Sequence, residues 1–75
     1  MTTSSNCEIR QGGKKMLWGD SLSIGIIFNN ITGVNLKGKE YAQYKEWVKV
    51  NSDLDLNESF ELYENGVFVK SGRAQ

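Results

Sequence analysis

The sequence predicts a mainly β (α+β) fold, namely a small barrel of antiparallel hairpins with one short helix. Two pairs of residues, Gly12-Gly13 and Asn65-Gly66, are typical of the turns that join hairpin strands, because glycine and asparagine adopt positive φ at low cost. Between them, residues 22–28 alternate apolar and mostly small side chains. This period of two is typical of a half-buried strand.

The first predicted hairpin is centred on Gly12-Gly13. Counting outward from that turn places Arg10 opposite Lys15, Ile9 opposite Met16 and Cys7 opposite Trp18. Basic side chains beside an exposed aromatic ring can bind phosphates while the ring packs against a base or a sugar. Alternatively, Trp18 is a core residue and the lysines only protect an edge strand from aggregation. The cationic cluster predicted here consists of Arg10, Lys14 and Lys15.

The middle of the chain is predicted to contain a turn, a strand and a helix. Gly19-Asp20 is a turn pair, and the strand that follows runs from Ser21 to Phe28. Good helix formers favour a helix over residues 39–47. Because residues 47–50 resemble the start of a strand, the choice between helix and strand over residues 39–50 stays open.

The second predicted hairpin is centred on Asn65-Gly66 and begins with an alternating segment, residues 54–63. Its register places Tyr63 opposite Phe68, Leu62 opposite Val69 and Glu61 opposite Lys70. The predicted core combines the apolar positions of both alternating segments and of the last strand: Leu22, Ile24, Ile26, Phe28, Leu54, Leu56, Phe60, Leu62, Val67 and Val69.

The chain is predicted to be one small domain over residues 1–75, with residues 1–5 and 72–75 disordered. A chain of this size buries only about 60% of the surface that it exposes when unfolded, so we expect a homodimer to supply additional core. No apolar run approaches the ~20 residues of a membrane-spanning helix, which favours a soluble, cytoplasmic protein.

The sequence contains one cysteine and no histidine. An intrachain disulfide is therefore excluded, and the commonest zinc ligand and the commonest general base are both missing. Residues 53–64 have the ligand spacing of a calcium loop, but Glu58 occupies the position where such a loop needs glycine. We therefore predict a protein that is not an enzyme and that holds no metal and no cofactor.

The net charge is zero, but the two halves of the chain differ in sign. Residues 1–49 contain seven basic and four acidic side chains, whereas residues 50–75 contain five acidic and two basic ones. A basic first half suits a polyanion, and an acidic second half suits a basic protein partner. A difference of this size is also common on surfaces that bind nothing.

The segment Lys-x-x-Trp-Gly-Asp-Ser-Leu-Ser-Ile-Gly-Ile-Ile at residues 15–27 resembles the opening motif of the AbrB/MazE-type swapped-hairpin proteins. Residues 54–69, which end in the Asn-Gly hairpin, are similar to the second half of that family. This sequence departs from the family pattern at Asp20, Gly25 and Ile27, where the family usually has asparagine, arginine and proline. The resemblance implies a strand-swapped dimer that is a DNA-binding transcriptional regulator or the antitoxin of a toxin–antitoxin pair.

The sequence therefore predicts two alternative functions. In the first, a dimeric DNA-binding regulator or antitoxin contacts DNA through Arg10, Lys14, Lys15, Trp18, Asp20 and Ser21. In an antitoxin, the acidic half would cover a basic toxin. In the second, a protein-interaction module or inhibitor of viral or mobile-element type binds a host protein through Glu58, Glu61 and Glu64. The salt dependence of binding would distinguish these two functions, because binding to phosphates loses affinity as the salt concentration rises.

Overall fold

The computed structural model describes residues 6–74 of the chain. The elements in order are β1 (Asn6–Gln11), β2 (Lys14–Asp20), α1 (Ser21–Ile31), α2 (Gly38–Asn51), β3 (Phe60–Glu64) and β4 (Val67–Gly72). The strands form one antiparallel sheet in the order β2-β1-β3-β4. The predicted α+β class is confirmed, and the predicted disorder at residues 1–5 lies outside the described residues.

Two features of the predicted architecture need correction. Within residues 6–74, β2 and β4 are the edge strands of the sheet, which is open and not closed into a barrel. The described part of the chain also has two helices instead of one. The additional helix is α1, because residues 21–28, which were predicted to form a strand, are helical.

The first hairpin has the predicted turn, but its register changes partway along. Arg10 pairs with Lys15 as expected, and beyond this pair a bulge shifts the register by one residue, so that Ile9 pairs with Leu17. The predicted pairs of Ile9 with Met16 and of Cys7 with Trp18 are therefore wrong. Since a shift of one residue moves a side chain to the other face of a sheet, the bulge turns Trp18 away from the core.

The second hairpin also begins as predicted and then shifts. Tyr63 pairs with Phe68 around the Asn65-Gly66 turn, in which both residues have positive φ. A bulge next to Tyr63 then places Leu62 opposite Lys70, so the predicted pairs Leu62–Val69 and Glu61–Lys70 are wrong. The strand before the turn starts at Phe60, not at residue 54.

The segment predicted as a turn and a strand is α1. Asp20 is not in a turn but caps the helix: its carboxylate accepts a hydrogen bond from the Ser23 backbone N–H at 3.0 Å. The buried residues of the helix are Ile24, Phe28 and Ile31, at positions i, i+4 and i+7. The apolar run therefore has helical periodicity as well as the alternation that predicted a strand.

The segment left open between helix and strand is helical from Gly38 to Asn51 and forms α2. Tyr41 and Val48 face the core, and the Tyr41 hydroxyl donates a hydrogen bond to the Ile31 carbonyl oxygen at the end of α1. This contact connects the two helices directly.

The core lies between the helices and one face of the sheet. Its buried members come from both layers and from the loop between α2 and β3: Cys7, Ile9, Ile24, Phe28, Ile31, Val48, Leu54, Phe60 and Leu62. The rings of Phe28 and Phe60 meet edge to face with their centroids 5.5 Å apart. The end of β4 closes over this pair, where a Cβ atom on Gly72 would lie 2.8 Å from the Phe28 ring.

The predicted core is confirmed in part. Half of it is buried: Ile24, Phe28, Leu54, Phe60 and Leu62. Leu56 is partly buried against the core. The other four, Leu22, Ile26, Val67 and Val69, are exposed, so the prediction is wrong for them. At the C-terminal end, the predicted disorder of residues 72–75 overlaps β4, which ends at Gly72, and Ala74, which packs against the core.

Candidate nucleic-acid interface

The face of the sheet opposite the helices carries three aromatic side chains in one row, one from each of three strands. The strand register joins them, because Glu8 is the cross-strand neighbour of both Trp18 and Tyr63, and Tyr63 is the neighbour of Phe68. Neighbours opposite each other project from the same face of a sheet. We call this surface the open face, and its rings, Trp18, Tyr63 and Phe68, the aromatic row.

Arg10 lies in the middle of the open face. Its guanidinium carbon is 4.0 Å from the centroid of the Tyr63 ring, and its Nε donates to the Glu8 carboxylate. The hydrogen bond to Glu8 is the main reason that the pKa of Arg10 is raised above its usual value. Arg10 is still the cross-strand neighbour of Lys15, but its charge is directed to Glu8 and Tyr63. The predicted cluster of Arg10, Lys14 and Lys15 is therefore divided.

Lys14 and Lys15 line a groove at the β2 edge of the sheet. The groove has a volume of about 510 Å³, and its far wall is the end of α2 and the residues after it, from Lys49 to Asp53. Trp18 also lines it, and the Lys15 ammonium lies 5.2 Å from the centroid of the Trp18 ring. We call it the lysine groove. Asp53 is the single carboxylate among its lining residues, against three lysines.

Asp20 and Ser21 lie at the junction of β2 and α1. Hydrogen bonds from the Ser23 side chain and backbone lower the pKa of Asp20, which is therefore the ionised cap of the helix. Ser21 is the first residue of α1. The aspartate already has a structural role, and the predicted contact of both residues with DNA stays a prediction.

The three predicted partner-binding glutamates do not form one surface. Glu58 lies in the loop before β3, where its N–H donates to the Asp55 carbonyl oxygen at 3.3 Å. Glu61 is the cross-strand neighbour of Arg10 and lies on the open face. Glu64 is the cross-strand neighbour of Cys7 and lies on the core side of the sheet. Burial, and then the charges of Glu64 and Asp20, raise the pKa of the Cys7 thiol.

A family match covers all of the described residues. The family described as a domain of unknown function (DUF7688) matches residues 6–75. The chain belongs to the DUF7688 family. No curated protein and no solved structure matches it.

Three residues of the candidate interface in this DUF7688 domain were not predicted from the sequence as part of it. Lys49 belongs to the basic first half of the sequence but is not among the predicted DNA-binding residues, although in the structure it lines the groove together with Lys14 and Lys15. The Tyr63–Phe68 pair was predicted, but as a contribution to stability. The pair is in line with Trp18 because β1 lies between β2 and β3 in the sheet. No local sequence pattern predicts this strand order.

Two further properties concern the described part of this DUF7688 domain. In residues 6–74, no helix is long and apolar enough to cross a membrane. In the same residues, no group of three or more His, Cys, Asp or Glu side chains is placed to hold a metal ion.

Proposed function

We propose that this DUF7688 protein is a non-enzymatic DNA-binding protein that acts as a transcriptional regulator or an antitoxin. The observation that supports it most is the lysine groove, which is lined by Lys14, Lys15, Lys49 and Trp18. Lysines at a groove neutralise phosphates, and an exposed indole ring packs against a base or sugar. Because Arg10 is paired with Glu8, it supports the aromatic surface more than it contacts phosphate.

The resemblance to AbrB/MazE-type proteins supports this proposal through residues 15–19. There the Lys-x-x-Trp-Gly segment lies on β2 and places its lysine and tryptophan at the groove. The rest of the motif, from Ser21 onward, is helical. The resemblance therefore supports the contact with DNA better than it supports a swapped hairpin.

The proposed assembly is a homodimer. The open sheet leaves one edge of β2 and one of β4 without a neighbouring strand within residues 6–74, and a second copy could cover them by strand swapping or by edge pairing. Two copies would bring six groove lysines to the DNA, which corresponds to a log–log salt slope of about −5.

Reversing the charge of the groove tests the proposal. Lys14→Glu/Lys15→Glu should abolish binding to a random-sequence duplex measured by fluorescence anisotropy at 50 and 200 mM salt. The matched control is Lys37→Glu/Lys39→Glu, which makes the same charge change at exposed positions around the start of α2, away from the groove. Equal binding by the two variants, or no binding of the folded wild type at low salt, would contradict the proposal.

One observation favours the second function, a protein-interaction module. β4 is an edge strand with three consecutive exposed apolar residues, Val67, Phe68 and Val69. An edge of this kind can accept a strand from another protein through backbone hydrogen bonds. Binding of a protein partner at this edge would depend little on salt, in contrast to binding of DNA at the lysine groove.

A further inference from the structure

The lysine groove and the open face share one residue, Trp18. This side chain lines the groove and also stands at the β2 end of the aromatic row. It is 64% exposed, although tryptophan normally buries most of its surface. The phosphate-binding and ring-bearing surfaces are therefore continuous around the edge of the sheet.

The aromatic row offers two rings to a ligand. Trp18 and Phe68 are 64% and 54% exposed, and three strand spacings of about 4.8 Å separate their strands by about 14 Å. Tyr63 lies between them, with Arg10 against its ring and with the Phe68 ring edge to face at 5.8 Å. The row can thus stack bases at its two ends, while the Arg10–Tyr63 pair supports the centre.

The charged side chains favour different groups of a nucleic acid on different parts of the surface. On the open face Arg10 is flanked by two carboxylates, since it is bonded to Glu8 and lies opposite Glu61 across the strands. That centre repels phosphate, but its carboxylates can accept hydrogen bonds from the amino groups of bases. The lysines at the β2 edge attract phosphate. This arrangement places bases on the sheet and the backbone at the edge.

A duplex can contact the lysine groove through its phosphates, but it cannot stack bases on the aromatic row, because its bases are paired and stacked inside the helix and present only their edges. An unpaired strand can turn its bases onto rings, and a four-stranded sheet with exposed aromatic residues is a known platform for two or three bases. We propose that the open face binds single-stranded nucleic acid, with bases stacked on Trp18 and Phe68 and the backbone held at the lysine groove. This inference rests on the proposed function and specifies the form of its ligand.

The test compares a fluorescein-labelled dT12 strand, the same strand as a duplex, and rU12. We expect both single strands to bind more tightly than the duplex, because both offer unpaired bases to the aromatic row. Trp18→Ala and Phe68→Ala should each weaken dT12 binding at least fivefold without changing the salt slope, because each removes a stacked base and no phosphate contact. The matched controls are Trp47→Ala and Val67→Ala, two exposed positions outside the row, which should leave binding unchanged.

A spectroscopic readout reports the stacking directly. In Trp47→Phe protein, the remaining tryptophan is Trp18, because the sequence contains two. Its emission should be quenched as dT12 is added and should stay unchanged with inorganic phosphate, which occupies only a lysine site.

The outcomes separate this inference from the proposed function. Equal binding of duplex and single strand, with Trp18→Ala and Phe68→Ala unaffected but Lys14→Glu/Lys15→Glu inactive, would overturn the single-strand inference and leave DNA binding in place. Absence of binding to all three probes at low salt, with circular dichroism showing folded protein, would overturn both.

Discussion

At the scale of single residues, Asp20 determines how the chain leaves the first hairpin. A short acidic side chain after a glycine is equally typical of a turn and of a helix cap. In both, the side chain accepts a hydrogen bond from a nearby backbone N–H. Here the acceptor serves the first turn of α1. The ionised carboxylate also lies at the positive end of the helix dipole, which favours its charged form.

The cap makes stability depend on pH. Because the folded-state pKa of Asp20 is lowered, its contribution is present above the unfolded-state pKa of about 3.9 and is lost as the pH falls through the folded-state value. Asp20→Asn retains a capping side chain without a titrating charge, whereas Asp20→Ala removes the cap. Thermal unfolding at pH 7 should therefore show a lower Tm for Asp20→Ala and a Tm near that of wild type for Asp20→Asn.

Repeating these melts between pH 2.5 and 5 completes the measurement. As the pH falls, the Tm of the wild-type protein should decrease relative to the Tm of Asp20→Asn, because only the aspartate loses its charge. A difference that is constant over this range would mean that the Asp20 carboxylate does not stabilise α1.

At the scale of elements, both hairpins were predictable and α1 was not. The hairpin turns depend on local φ requirements that glycine and asparagine meet, so their positions can be derived from a few residues. The bulges that shift both registers have no such signal. For α1, the run from Leu22 to Phe28 satisfies both periodicities, and a short apolar run cannot be assigned by periodicity alone.

Two isoleucines in α1 distinguish the helix from the predicted strand. In a strand, Ile24 and Ile26 would face the core together, whereas in α1 they are 2% and 50% exposed. Ile24→Ala should therefore cost about 2–5 kcal/mol of unfolding free energy, and Ile26→Ala less than about 1 kcal/mol. Urea denaturation followed by circular dichroism measures both, and equal losses would contradict the helical assignment.

The candidate site could be predicted only where it is local. The nearness of Lys15 to Trp18 follows from three residues of sequence and is seen in the structure. Lys49 and Phe68 come from distant parts of the chain, and their place at the surface depends on how α2 and β4 pack. Tertiary packing of this kind leaves no periodic trace in the sequence.

At the scale of the whole molecule, the exposed edge of β4 argues for self-association. A row of exposed apolar side chains on an edge strand favours pairing with another strand, and natural proteins commonly prevent this with charged residues. We therefore expect a homodimer at micromolar concentration in sedimentation velocity. Val69→Lys should shift it toward monomer, because the charge lies at the pairing edge.

The control for this variant is Val34→Lys. Val34 is 64% exposed in the loop between α1 and α2, so the same substitution there adds the same charge away from the sheet edges and should leave the dimer intact. A folded wild-type monomer at micromolar concentration, or equal dissociation by both variants, would rule out a β4-mediated dimer.

The burial of Cys7 has a practical consequence. It is the sole thiol of the sequence, it lies in the core, and its raised pKa keeps it protonated and weakly nucleophilic. Because the residue is only 6% exposed, we expect an alkylating reagent to react with it mainly when β1 separates from the layer above it. The rate of alkylation under native conditions therefore reports the frequency of that opening, which gives the free energy of local unfolding without added denaturant or an introduced label.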